Sequence, residues 1–249
     1  MPKVFVHGNP ETAAIWSDLI DELAKHGVTD VITLSPPGFG APCPDGWGGT
    51  PAEYRAWLLA ELQGIEGAID LVGHDWGAGH VLGLLAEHPT VARTWATDCA
   101  GMVHPDYQWH DAAVGWQTPG VGEDSANAIV SLDADTFALV MGSLGMKDHI
   151  ARQVSAALDE DTARCILNLY RNAVQPTMSE LGARLAAAKP ARGMVIVAEN
   201  DHYAGTPAMH AHVAASVGAS VCELPAVGHW WMVEDPAAAA DALIAHWRG

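Results

Sequence analysis

The stretch Ile69-Asp70-Leu71-Val72-Gly73-His74-Asp75-Trp76-Gly77-Ala78-Gly79-His80-Val81-Leu82 constrains this chain more than any other. An apolar run ends in glycine, one side chain stands between two glycines, and helix-forming residues follow at once. Glycines accept the backbone angles of a tight strand-to-helix turn, which lifts the central side chain above the carboxyl edge of a sheet. Here the central residue is Asp75. A serine in this place needs a base to take its proton before it attacks. A carboxylate is an anion already and can displace a leaving group from an alkyl carbon, giving an ester. Such an ester turns over only if other groups hydrolyse it, so a base and its partner are expected on neighbouring strands.

The chain around this turn alternates strands and helices. Val4-Phe5-Val6 is a short apolar run that stops at His7-Gly8-Asn9-Pro10, as a buried parallel strand would. Trp16, Leu19, Ile20 and Leu23 fall at helical spacing, and His26-Gly27 closes that helix. Asp30–Leu34 reads as a second strand, followed by a turn-rich loop to Gly49. Thr50, Pro51 and Glu53 open a helix with a capping box. The Asp75 strand and helix come next, then Arg93–Cys99 as a fourth strand. From about 101 to 190 no strand is predicted and the sequence reads as helices and loops. Strands return at Gly193–Ala198 and Ser220–Leu224, with a helix near 207–217 and a last one from Pro236. This pattern predicts an α/β fold with a doubly wound, mostly parallel sheet. Residues 1–100 and 191–249 form the core, and a helical lid, 101–190, is inserted after the fourth strand as part of one continuous unit.

Composition excludes several classes. The 249 residues suffice for one well-buried domain, and no run approaches the ~20 apolar residues of a membrane span. A formal charge of −18 speaks against nucleic acid and anionic membranes as partners; it suits a soluble acidic surface such as that of a salt-tolerant organism. The N-terminus enters a strand without a basic and then apolar leader. Cys43, Cys99, Cys165 and Cys222 are scattered, as reduced thiols of a cytoplasmic protein would be. No cofactor motif is expected: Gly77-Ala78-Gly79 follows a strand, but a dinucleotide fingerprint needs glycine or alanine where Leu82 stands. His104, Asp106, His110 and Asp111 lack a metal-ligand spacing, so no metal is expected either.

Asp75, Asp201 after the fifth strand and His229 after the sixth stand in the order nucleophile, acid, histidine. His229 would take a proton from the water that attacks the ester, and Asp201 would orient and stabilise its imidazole. Asp98, at the end of the fourth strand, is the alternative acid. The backbone N–H groups of Asn9 and Trp76 are candidate donors to the oxyanion, and Asn9-Pro10 is a candidate cis bond.

His7-Gly8-Asn9-Pro10-Glu11, Gly73-His74-Asp75-Trp76-Gly77, Ala198-Glu199-Asn200-Asp201 and Gly228-His229-Trp230 together resemble the Asp-nucleophile branch of the α/β-hydrolase superfamily, which holds epoxide hydrolases and haloalkane and fluoroacetate dehalogenases. Within that branch the signals divide. Epoxide hydrolases donate to the leaving oxygen from two lid tyrosines, and Tyr107 and Tyr170 are similar to those, although the spacing from Tyr107 to Trp116–Val121 is longer here. Asn9 with Trp76 resembles the pair that cradles the leaving halide in haloalkane dehalogenases. An epoxide oxygen leaves poorly without a donor and a halide needs none, so the two tyrosines favour a small apolar epoxide, with haloalkane dehalogenation the alternative and a non-catalytic binding protein a further one. Trp109, Trp116 and Trp230 are expected at the substrate pocket. Relative to that family the first two strands are missing, which makes Val31–Leu34 an edge. A bare edge invites pairing, so a homodimer or a covering loop is expected.

Overall fold

The computed structural model describes residues 1–249. Six strands form one wholly parallel sheet: β1 (Lys3–Val6), β2 (Val31–Leu34), β3 (Asp70–Gly73), β4 (Thr94–Thr97), β5 (Gly193–Ala198) and β6 (Ser220–Leu224), ordered β2-β1-β3-β4-β5-β6. Val31–Leu34 is one edge of this sheet, as expected, and β6 is the other.

Alternation along the strands supplies two apolar layers. Val4, Val6, Leu71, Trp95, Val195 and Val197 face one side, while Phe5, Val72, Ala96, Met194 and Ile196 face the other. The first side is covered by α2 (Pro51–Gln63), α3 (Trp76–Glu87) and α10 (Pro207–Val217). The second is covered by α1 (Ser17–Lys25) and the C-terminal helix of residues 236–248, whose Leu243 and Trp247 pack with Leu19 and Leu23. Local chemistry starts these helices where the sequence predicts: the Thr50 hydroxyl accepts the Glu53 N–H and the Glu53 carboxylate accepts the Thr50 N–H, with Pro51 in the first turn.

From β1 the chain turns to one side for β2 and then crosses to the other for β3. In an open parallel sheet such a reversal leaves a crevice beyond the carboxyl ends of the strands, where ligands bind. The loop after β1 carries Asn9, with a cis Asn9–Pro10 bond, and the turn after β3 carries Asp75.

Six helices separate β4 from β5: α4 (Asp111–Gln117), α5 (Val121–Val130), α6 (Ala134–Ser143), α7 (Asp148–Ser155), α8 (Glu160–Arg171) and α9 (Thr177–Ala188). α4, α5 and α8 join the apolar layer of α3, while Phe137, Met141, Ile150 and Val154 of α6 and α7 join the opposite layer. The inserted helices therefore straddle the crevice. α9 packs on α3 and the turn at 100–103, contributing nothing to the cavity wall. No helix is long and apolar enough to cross a membrane.

Candidate active site

Asp75 sits between β3 and α3 with φ 51° and ψ −123°, left-handed backbone that a side-chain-bearing residue adopts only under constraint. Two glycines make the turn possible. A Cβ on Gly77 would lie 2.1 Å from the Val6 carbonyl oxygen, and one on Gly8 would lie 2.1 Å from Asp75 Oδ1 and 2.5 Å from the Trp76 nitrogen. The loop after β1 thus rests directly against the turn. There the Asn9 N–H donates to Asp75 Oδ1 at 2.8 Å. Trp76 opens α3, so its amide has no acceptor within the helix.

His229 is buried, and its Nδ1 pairs with Asp201 Oδ2 at 2.9 Å while its Nε2 stands 3.8 Å from Asp75 Oδ2. Asp201 is itself fixed by the Tyr203 N–H, 2.8 Å from its other oxygen. Asp98 is elsewhere: Oδ1 accepts the Asp75 N–H at 3.0 Å, and Oδ2 meets His74 Nδ1 and the Trp231 indole N–H. Of the two acids weighed from the sequence, Asp201 meets the His229 ring and Asp98 anchors the turn.

Burial raises Asp75 to about 6, against the pull of His229, His74 and the Asn9 N–H toward ionisation. Burial lowers His229, but the Asp201 charge and hydrogen bond, aided by Asp75, outweigh it and hold the ring near 9. Asp201 is kept well below the carboxylate range because the His229 charge and bond overcome its burial. A carboxylate, a histidine and a second carboxylate are therefore linked in a site largely shielded from water, where charges interact strongly.

Behind them lies a buried group for which the sequence reading proposes no role. His74 Nε2 pairs with Glu11 Oε1 at 3.0 Å, and Glu11 also accepts the Gly8 N–H (3.0 Å) and the Trp230 indole N–H (2.5 Å). Both His74 nitrogens face carboxylates. Despite burial, Asp98 and Glu11 raise its proton affinity well above the ordinary value, making it an imidazolium. Glu11 and His74 are visible in their motifs, yet only burial reveals their importance: a fully buried Glu is rare unless paired.

Over the site lies a cavity of about 220 Å³ whose wall includes Asn9, Asp75, Trp116, Tyr170, His229 and Trp230. Ile129, Phe137, Val140, Met141 and Leu144 make the remainder mostly apolar. The wall also takes in His110 and Tyr203, which the sequence reading does not assign to it. Burial raises the Tyr170 phenol well above its ordinary pKa, with Asn9 and Trp76 close enough to oppose the shift. Tyr107 is not in this wall; its hydroxyl donates to the Tyr203 carbonyl at 2.7 Å. Trp109 is also outside, stacked on Trp76 at 5.7 Å with its N–H on the Ala173 carbonyl. Both polar atoms of the Asn9 side chain and the Trp116 indole nitrogen are buried without a partner.

Glu11, His74 and His229, and likewise Cys99, Asp201 and His229, bring ligand-type atoms within 4.8 Å of one another. The first group is tied up in the hydrogen bonds above, and the second shares the His229–Asp201 pair. His104, Asp106, His110 and Asp111 form no such group; His110 instead caps α4.

Solved structures similar to this one share its fold at low identity. Haloalkane dehalogenase DbeA from Bradyrhizobium elkani is 22% identical with a TM-score of 0.73, over 99% of this chain and 90% of that one. A Y109W mutant of haloalkane dehalogenase DatA from Agrobacterium tumefaciens is 18% identical with a TM-score of 0.78, over 100% and 90%. A bromoperoxidase from Bacillus anthracis is 16% identical with a TM-score of 0.72, over 100% and 92%. No curated protein sequence matches the chain. The model of the alpha/beta hydrolase family matches residues 4–242, and the chain belongs to that family.

Proposed function

We propose that the protein hydrolyses small apolar haloalkanes through an ester on Asp75. The observation that carries this choice is the Asn9 side chain, buried beside the nucleophile and next to the Tyr170 phenol, with no well-formed hydrogen bond on either polar atom. An unsatisfied buried amide costs about 1–3 kcal/mol and calls for a ligand that completes it. A departing halide satisfies the nitrogen by accepting from Nδ2. The expectation of an epoxide rested on two lid donors, and the Tyr107 hydroxyl is engaged with the Tyr203 carbonyl away from the cavity. That several structural neighbours are named haloalkane dehalogenases agrees with the choice.

Each oxygen of Asp75 has its own part. Oδ1 accepts the Asn9 N–H and Oδ2, facing His229, attacks the carbon as the halide leaves. Forming the ester removes the Asp75 charge, one of the influences that raise His229. The ring then sheds its own proton to solvent more readily, and the neutral imidazole takes a proton from water through Nε2 as the hydroxide adds to the ester carbonyl carbon. The oxyanion forms on the oxygen already held by the Asn9 N–H, with the Trp76 amide beside it. Collapse releases the alcohol and restores the carboxylate, while Asp201 balances the imidazolium.

Epoxide hydrolysis is the second reading, favoured by Tyr170, whose protonated phenol lines the cavity. A paired assay separates the two: halide release from chloro- and bromoalkanes against diol release from small epoxides. Diol without halide would reverse the order. With His229→Gln, one equivalent of ester should accumulate on Asp75 and be seen by mass spectrometry; no adduct from either panel would reject the ester mechanism.

A further inference from the structure

We infer that Cys43 and Cys165 form a thiol pair that closes to a disulfide, fastening the lid helix α8 to the core loop between β2 and α2. This stands apart from the reaction proposed above. The two sulfurs are 3.7 Å apart, on segments separated by 122 positions in the chain. The remaining approach to the ~2.0 Å of a disulfide falls to Cys43, which is half-buried and borders an open cleft of about 250 Å³ with Pro42, Asp159 and Asp161. Cys165 lies buried behind it.

The backbone around the pair is already registered. Thr162 Oγ1 donates to the Gly38 carbonyl at 2.8 Å, Arg164 Nη1 to the Trp47 carbonyl at 2.6 Å and Asn168 Nδ2 to the Gly48 carbonyl at 2.8 Å. Gly38 and Gly49 lack the side chains that would crowd Cys165: a Cβ on Gly38 would lie 2.6 Å from its sulfur. These bonds and contacts hold the two sulfurs together before any covalent bond exists. Five positions on, the same helix presents Tyr170 to the cavity, so the fastening acts on the lid element that carries a wall of the site.

The oxidant class is a small disulfide such as oxidised glutathione. The Cys43 thiolate attacks one sulfur of the reagent, forming a mixed disulfide and expelling one thiolate. The Cys165 thiol then loses its proton and attacks Cys43 Sγ, expelling the second, so two protein thiols are oxidised and one reagent disulfide is reduced. Burial and the neighbouring Cys165 push Cys43 up to about 12, so capture is slow at neutral pH and quickens as pH rises.

The test is incubation of the folded protein with oxidised glutathione at pH 8.5, alkylation of remaining thiols, and intact and peptide mass analysis. The expected result is a loss of two hydrogens, a peptide pair joined through Cys43 and Cys165, and a thermal midpoint that rises and returns on reduction. Cys165→Ser should instead stop at a glutathione adduct on Cys43, and Cys43→Ser should leave Cys165 free. Two outcomes overturn the inference: a glutathione adduct persisting on Cys43 with Cys165 still present, or both thiols unchanged after oxidation.

Discussion

The imidazole of His74 lies 4.6 Å from that of His229, ring centre to ring centre, so a fixed positive charge stands beside the proposed base. Glu11 and Asp98 clamp His74 between the loop after β1 and the end of β4, while Trp230 and Trp231 tie both carboxylates to the His229 loop. His74→Leu would leave those carboxylates without their shared cation. A loss of about 3–5 kcal/mol is expected in denaturant unfolding. With the neighbouring charge gone, His229 should also hold its proton to higher pH, moving the ester-hydrolysis step toward alkaline pH in single-turnover kinetics.

The same clamp sets a pH dependence of stability. Glu11 is lowered to about 2, the charge and hydrogen bond of His74 outweighing burial, so its contribution is complete above an unfolded value near 4.5 and is lost as pH falls toward 2. His74 is raised, so its contribution is complete below 6.5 and declines above that toward its folded value. The clamp therefore contributes fully between about pH 4.5 and 6.5, and thermal melts of wild type against His74→Leu should differ most in that window.

Asp75 works against the fold. Its carboxyl is raised from 3.8 to about 6, so the folded protein favours the neutral acid, a stabilisation complete below 3.8 and lost by about 6. Above that pH the buried anion is a liability. Asp75→Asn should abolish turnover yet stabilise the protein at pH 7.5 by about 1–3 kcal/mol, read as a higher melting temperature. An unchanged or lower one would contradict this account of the buried anion.

Nucleophilic attack needs the ionised form. The first, ester-forming phase should weaken about tenfold per pH unit below 6, following the titration of Asp75. Rapid-quench measurement of product formed in the first turnover checks this, and a limb centred near 4 would contradict it.

Tyr107 and Tyr170 should behave differently. Tyr107→Phe removes the bond to the Tyr203 carbonyl, costing about 1 kcal/mol of stability with turnover changed less than about threefold. Tyr170→Phe alters the cavity wall itself and should change the Michaelis constant for any bound substrate. Steady-state kinetics of the two variants on one substrate decide the matter.

Much of this arrangement is legible along the chain because the parallel sheet places each strand end at one edge. Asp75, Asp201 and His229 each follow a strand, and glycines mark two of those turns. The choice between Asp201 and Asp98 is not local: both follow strands, and only the loop path that puts Asp201 Oδ2 on His229 Nδ1 separates them. The Tyr107 motif is present, but its longer connection to Trp116 leaves the hydroxyl on a backbone carbonyl. Trp109 is apolar and in the right segment, yet it stacks on Trp76 and stays out of the cavity wall. Glu11 and His74 need a partner brought from sixty-three positions away, which no local pattern reports.

Asp98 bears on how such a site can change over evolutionary time. Its two oxygens hold the Asp75 N–H, His74 and the Trp231 indole, so it cannot swing to His229 without releasing the turn. Under the proposed mechanism, a lineage with this arrangement has its acid locked to the loop after β5. Shifting that role to β4 would require a replacement anchor for the turn before the old one was given up, a detour through variants with a loosened nucleophile.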